Sequence, residues 1–328
     1  MQMGMSTVGA ITPDWNQEQL EDYICRHSIW ISRPKLEWLV GGLINRNWVV
    51  HEDKNKYVAR VFFDANVQGI SEQSVLACTR AASEIGVSPG LRYSEPHLTI
   101  VDFIEGRHLT EQELTDETII SGCMKLLRRL HAGTHAIRAP INYHGRFIVM
   151  RSLVKWSMEN DNPHADAVRK MLPFIEKFEN SMRPFRPCFT HNDLAHVNVM
   201  IEPSGKLWLI DWDFGGIGNP LSDISDLLSY GPPTDELERF ALREYLDDDV
   251  SAEEFEATLR DYRISLLATY CFQYVWAAAV DHSVHKSQDS IRESMEAILP
   301  DQEASYQGFM KMAKERFDKT WQRFSDHI

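Results

Sequence analysis

The chain has 328 residues, 43% of them hydrophobic and 25% charged, with a formal net charge of −14. That is a globular composition, with enough material for one large domain or two lobes. The acidity argues against the clustered Lys and Arg of a nucleic-acid footprint and is compatible with a neutral or cationic small molecule, though service to solubility is the plainer account of it. Cys25, Cys78, Cys123, Cys188 and Cys271 show no paired spacing, the pattern of reduced thiols. The N-terminus lacks a basic and then apolar leader, and "ATYCFQYVWAAAV" is too short to span a bilayer. A soluble, cytoplasmic protein with no membrane or nucleic-acid partner is expected.

In chain order, "TPDWNQEQLEDYICRH" opens at Thr12-Pro13-Asp14 and carries helical spacing through Leu20, Tyr23 and Ile24. Three β-like runs follow, "KLEWLV", "NWVV" and "YVARVFF". "SEQSVLACTRAASEIG" reads as a helix from Ser71 to its stop at Gly86, and "LTIVDF" as a strand. After "EGRHLT" the pattern turns helical. "DETIISGCMKLLRRLHAG" puts Ile120, Met124, Leu127 and Leu130 on one face and ends at Gly133. "VRKMLPFIEKFENSM" reads as one helix kinked at Pro173. "TDELERFALREYL", "SAEEFEATLRDYRISLLATYCFQYVWAAAV" and "EASYQGFMKMAKERFDKTWQRF" complete a helical last third. The expectation is an α+β chain with a strand-rich lobe over residues 1–105 and a helical lobe over 106–328.

The polar residues of "FTHNDLAHVNVM" stand among apolar ones, where each needs a partner. Val197–Ile201 and Leu207–Ile210 are expected to form a hairpin around "EPSG". The hairpin brings Asp193 and Asn198 toward Asp211. Two carboxylates and an amide make a hard oxygen site suited to Mg²⁺, and an aspartate outside that site can orient the proton of an attacking hydroxyl. Two plainer readings stand beside this one. Cys188, His191 and His196 are possible zinc ligands without a fourth at finger-like spacing, and Asp193 and Asn198 are ordinary turn caps. In the small lobe, Gly41 and Gly42 allow a close backbone approach, and Arg60 in "YVARV" is a fixed cation able to fork onto phosphate. An ordinary hairpin turn and an exposed strand arginine are their plain alternatives.

Together "GGLINRN", "YVARV", "FIEGRHLT", "LLRRLHAG", "HNDLAHVN" and "LIDWDFGGIGNPLSDISDLL" resemble the choline/ethanolamine kinase branch of the aminoglycoside-phosphotransferase-like small-molecule kinases. The likeness runs from Gly41 to Leu228, with an echo in "FQYVWAAAV". It implies a two-lobed, protein-kinase-like fold with a small antiparallel sheet and a mostly helical second lobe. It also implies an ATP- and Mg²⁺-dependent phosphotransferase acting on the hydroxyl of choline or ethanolamine. By the same resemblance, Asp193 is the catalytic base or hydroxyl orienter, and Asn198 and Asp211 hold Mg²⁺. Arg60 contacts the ATP phosphates beneath a loop of Gly41, Gly42 and Asn45. Backbone groups of about Asp102 to Ile104 meet adenine, while His191 and Asp223 support the catalytic loop.

The chain departs from the family in places. The glutamate that pairs with the strand cation falls near Val75, so Glu72, one turn earlier, is the expected substitute. His196-Val197 replaces the usual Pro-Gly before the metal asparagine. Of two family tryptophans on a late helix, Trp276 matches one, and Gln273 stands at the other. Tyr270, Tyr274, Phe214 and Asp213 are the candidates to complete a cage around an ammonium group. Two rival readings stand: the same chemistry with an aminoglycoside, another antibiotic or a sugar-like alcohol as acceptor, and, from Arg60 and the displaced glutamate, a nucleotide-binding scaffold without turnover.

Overall fold

The computed structural model describes residues 11–39, 45–62, 70–232, 234–283, 292, 295–296 and 303–328. Alternation along "RNWVVHE" and "NKYVARV" dictates a two-faced sheet. Strands β1 (Lys35–Leu39), β2 (Arg46–Glu52), β3 (Asn55–Val61), β4 (Leu91–Glu95) and β5 (Leu98–Asp102) lie in the order β1-β2-β3-β5-β4, every pair antiparallel. The register Trp48↔Ala59↔Ile100 places these residues on one face with Val50, Val61 and Leu98. Helix α1 (Gln17–Arg26) covers that face with Leu20 and Ile24, closing a small core. Each such burial contributes about 1.5–3 kcal/mol. The opposite face carries Asn47, Val58, Arg60, Thr99 and Val101, and all five open onto a cleft.

Helix α1 starts later than "TPDW" implied. Asn16 caps it by accepting from the Gln19 amide at 2.9 Å, and the Gln19 side chain accepts from the Asn16 N–H at 2.8 Å, a reciprocal pair that Thr12-Pro13-Asp14 lacks. Helix α2 (Glu72–Glu84) ends where expected, with Gly86 in the left-handed region at φ 69°. Strand β4 was not anticipated; "LRYSE" has no alternation strong enough to read, and pairing with β5 makes it a strand.

The second lobe is helical. Helix α3 (Glu117–Ala132) is capped by Asp116 and stopped at Gly133. Helix α4 (Arg146–Glu159) has little amphipathic signal and escaped the sequence reading. The expected kinked helix is two helices, α5 (Ala165–Arg169) and α6 (Leu172–Ser181). Pro173 sits in the first turn of α6, where its missing N–H has no helical acceptor to lose, so it starts a helix rather than bending one. Helices α7 (Pro220–Leu228), α8 (Asp235–Tyr245), α9 (Ala252–Ser283) and α10 (Tyr306–Phe324) complete the lobe. The long α9 packs against α4, α7 and α10. Among the described residues no helix is long and apolar enough to cross a membrane.

Two small sheets carry the cleft residues of this lobe. In one, β9 (Val199–Ile201) pairs antiparallel with β10 (Leu207–Leu209) and with β6 (Arg107–His108). In the other, β11 (Gly216–Gly218) lies between β7 (Asn142–Tyr143) and β8 (Cys188–Thr190).

Candidate active site

The β9–β10 hairpin forms as its sequence dictates, with Gly205 at φ 84° in its turn. Its mouth is closed by the Ile210 N–H donating to the Asn198 carbonyl at 3.0 Å, which sets Asn198 beside the segment leading to Asp211. Asn198 Nδ2 donates to the Asp193 carbonyl at 2.8 Å. Asp193, Asn198 and Asp211 therefore line one cavity of about 950 Å³ between the two lobes.

The loop before β9 is held from below. Asp223, fully buried on α7, accepts from the backbone N–H groups of His191 and Asn192, both at 2.8 Å, and lies 3.0 Å from His131 Nε2. Burial opposes its charge, but His131, His191 and these N–H groups outweigh that and hold the carboxyl below its ordinary range. His191 Nε2 sits 2.9 Å from the Ile210 carbonyl, tying the loop to the end of β10. Asn192 and Asp211 both have left-handed backbones, φ 63° and 66°, which non-glycine residues adopt only when their surroundings enforce it. For Asn192 the enforcing contacts are Asp223 below and its own Nδ2, which donates to the Phe214 carbonyl at 3.0 Å.

From the opposite lobe, Arg60 reaches across the cleft to Asp211 at 3.0 Å and to Asp213 at closer range. Burial disfavours the guanidinium charge, yet the two carboxylates more than compensate and hold its pKa above the ordinary value. Asn45 Nδ2 donates to the other Asp213 oxygen at 3.1 Å. Both oxygens of Asp213 thus accept a bond on the Arg60 side, while the residue still lines the cavity. Glu72 has a different neighbour from the one expected: it bonds His97, with His97 Nδ1 3.0 Å from Glu72 Oε2. Helix α2 directs its first turn at the β4–β5 turn, and Arg60 finds its carboxylates on the other lobe. Asp102 and Ile104 line the cavity at the end of β5, the Asp102 side chain turned onto Arg92 at 2.9 Å. Gly41 and Gly42 lie outside the described residues.

The cavity extends into the second lobe past Asp226, Tyr230, Phe272, Gln273, Trp276 and Phe309. Trp276 meets Phe309 edge-on at 6.1 Å between centroids. Phe214 also lines the cavity, but packs with Phe62, Ile70 and Val75 under the small lobe. Tyr270 is a correction: it is 1% exposed, bonds the Ser229 carbonyl at 3.3 Å and does not line the cavity. It lies one turn before Gln273 on α9 and both reach Ser229, but only Gln273 lines the cavity. Sequence reasoning missed Asp226 and Arg146, a buried fork with bonds of 2.6 and 2.7 Å. Asp226 lies one turn after Asp223 on α7, a spacing that signals a shared face, whereas nothing in "GRFIVM" marks Arg146 as buried.

Carboxylates dominate the lining. Glu72, Asp102, Glu111, Asp193, Asp211, Asp213, Asp226 and Glu296 stand against Arg60 among the described residues. Burial, with Asp211, Asp226 and Asp213 next in weight and Arg146 opposing, pushes the Asp193 carboxyl up to about 8. An unfolded aspartate ionises near pH ~4, so through the window from there to about 8 the unfolded chain binds fewer protons than the folded one. The stability of the cation-free protein should therefore fall as pH rises across that window. Melting temperatures without divalent cation should fall less steeply in Asp193→Asn than in the parent, and parallel slopes would rule this assignment out.

A divalent cation offers the natural relief of this crowding. The Asp211 side chain is 36% exposed toward the cleft, and Asn198 turns its amide nitrogen inward. These are hard oxygen donors, suited to Mg²⁺ completed by phosphate and water. Among the described residues no group of three or more His, Cys, Asp or Glu is arranged to hold a metal unaided. The zinc alternative finds no support locally either, since His191 Nε2 lies 2.9 Å from the Ile210 carbonyl and is engaged there.

A model of the phosphotransferase enzyme family (APH) matches residues 35–261. Protein LicA of Haemophilus influenzae is 22% identical over 277 residues, 82% of this chain and 78% of that protein. A choline kinase structure from Cryptosporidium parvum Iowa II has a TM-score of 0.69 at 19% identity, covering 95% of this chain and 96% of that one. An ethanolamine kinase structure from Plasmodium vivax has a TM-score of 0.69 at 13% identity, covering 93% and 89%. The solved structures share the two-lobed architecture, an antiparallel sheet above a helical lobe. The matched span contains the sheet, the cross-cleft arginine and the acidic floor, and on that ground the chain belongs to the phosphotransferase enzyme family and is a small-molecule kinase.

Proposed function

We propose that this kinase transfers the γ-phosphoryl group of ATP to the hydroxyl of a small amino alcohol of the choline and ethanolamine class. One observation carries the reading: the acidic floor of Asp193, Asn198 and Asp211 shares a single cavity with an aromatic wall of Tyr230, Phe272, Trp276 and Phe309. Carboxylates and ring faces together suit a compact organic cation. The names of the similar proteins, a choline kinase and an ethanolamine kinase, point to the same class.

In this reading Asp193 accepts or orients the hydroxyl proton. Asn198 and Asp211 would hold Mg²⁺, which when bound neutralises charge on the phosphates. Arg60 and Asn45 meet the phosphates, and backbone near Asp102 to Ile104 meets adenine. His191 and Asp223 position the loop that carries Asp193. Because the transition state is loose, positioning and electrostatics supply most of the acceleration. The lobes divide near residue 105, since β5 ends at Asp102 and β6 already pairs with β9 in the second lobe. The five cysteines are all free thiols, which supports a reducing, cytoplasmic setting.

The test is an acceptor panel with ADP release as readout, spanning amino alcohols, kanamycin-like aminoglycosides and simple sugars. Amino alcohols should give the highest kcat/KM. Activity confined to aminoglycosides would overturn the acceptor class, and ATP binding with no turnover on any member would favour the scaffold reading.

A further inference from the structure

We infer that the acceptor is recognised through an ammonium N–H, which Gln273 binds with its side-chain carbonyl, so that amino alcohols bearing at least one N–H are preferred and the quaternary one is disfavoured. This rests on the amino-alcohol reading of the cleft. Gln273 is 8% exposed and lines the cavity on the face of α9 that also carries Phe272 and Trp276.

The orientation of its amide follows from its neighbours. Ser229 Oγ donates its single hydrogen to the Asp226 carbonyl at 2.7 Å, so it can only accept from Gln273, 3.1 Å away. Gln273 Nε2 is therefore the atom facing Ser229. Ser229 is itself anchored, its carbonyl accepting from Arg316 Nη1 at 2.5 Å and Tyr270 Oη at 3.3 Å. This leaves Gln273 Oε1 buried with no donor among the described residues. The carboxylate of the same network, Asp226, is already forked by Arg146, so the open acceptor is the amide oxygen.

A buried acceptor without a partner calls for an explanation, and this one belongs to a residue of the cavity wall, where a bound molecule can supply the donor. An ammonium N–H satisfies it. A quaternary ammonium presents only methyl groups, keeps the oxygen unpaired and loses its own solvation. Sites built around a hydrogen bond reject analogues that cannot make it far more strongly than they sense one added methyl by size.

The experiment measures kcat/KM with ATP for ethanolamine, N-methylethanolamine, N,N-dimethylethanolamine and choline. The full chain should treat the first three within a few-fold of one another and fall by at least about tenfold at the last methylation, where the final N–H disappears. Gln273→Met, of similar volume, should erase the step, chiefly by raising KM for the N–H acceptors, with KM for ATP unchanged. A melting curve shows whether Gln273→Met folds, and the acceptor series on the parent chain tests the inference even if it does not. A smooth decline along the series, choline as the best acceptor, or a step that survives in Gln273→Met would overturn the inference while leaving the amino-alcohol reading intact. Turnover of other hydroxyl compounds but of no amino alcohol would defeat both.

Discussion

Replacing Asp193 by alanine is expected to lower kcat by about 10²–10⁴-fold, the range that a positioned general base supplies. The KM for ATP should change little, because the proposed phosphate contacts are on the Arg60 side of the cleft. The fold should survive, since the Asp193 carboxyl has no hydrogen-bond partner among the described residues that would be orphaned; the loop is held instead through its backbone carbonyl, by Asn198. Removing one of several crowded carboxylates also relieves repulsion from Asp211, Asp213 and Asp226. The variant should therefore melt no lower than the parent near neutral pH. Steady-state ADP release together with a melting curve checks both halves. Near-normal kcat in a well-folded Asp193→Ala protein would remove Asp193 from the chemistry.

The second large effect is on stability. Arg146 and Asp226 have side chains only 5% and 9% exposed, and their fork is joined by Thr269 Oγ1, 2.6 Å from Arg146 Nη1 and 2.9 Å from Asp226 Oδ1. Arg146→Ala leaves the Asp226 charge buried without its cation, a change that typically costs about 3–5 kcal/mol. Replacing both partners, Arg146→Met with Asp226→Leu, should recover much of that loss, because it removes the stranded charge as well as the bond. Urea unfolding of the two variants distinguishes these cases: equal destabilisation of both would mean that packing, not the charge, dominates. Arg146 is also the cation that opposes protonation of Asp193. Any residual activity of Arg146→Ala should therefore shift its pH dependence to more alkaline values.

Much of the site could be read from local order alone. Asp193, Asn198 and Asp211 are joined by a hairpin whose turn residues are explicit, so their convergence follows from chain geometry over a short span. The capped starts at Asp116, Thr234 and Ser305 and the stops at Gly86 and Gly133 are similarly local, and the helices they bound lie where the sequence pattern puts them. Strand β4 and helix α4 were not readable, because neither has a periodic apolar pattern of its own. The aromatic side of the cavity was read least well. Tyr270 and Trp276 are on the same helix, and only the rotation of α9 against α7 and α10 decides that Tyr270 enters the core while Gln273 and Trp276 face the cleft.

By itself, then, the sequence determined the alternation of two faces in the small sheet, the hairpin that gathers the acidic floor, and the fixed charge at Arg60. Each depends on residues close in the chain and on a period set by backbone geometry. Only the tertiary structure decided that Arg60 crosses to Asp211 and Asp213 while Glu72 turns to His97, that Arg146 neutralises Asp226, and that Gln273 Oε1 has no partner among the described residues in the cavity wall. These are pairings between residues far apart in sequence, chosen by which buried polar groups can reach one another once the lobes pack, and no local pattern encodes that choice.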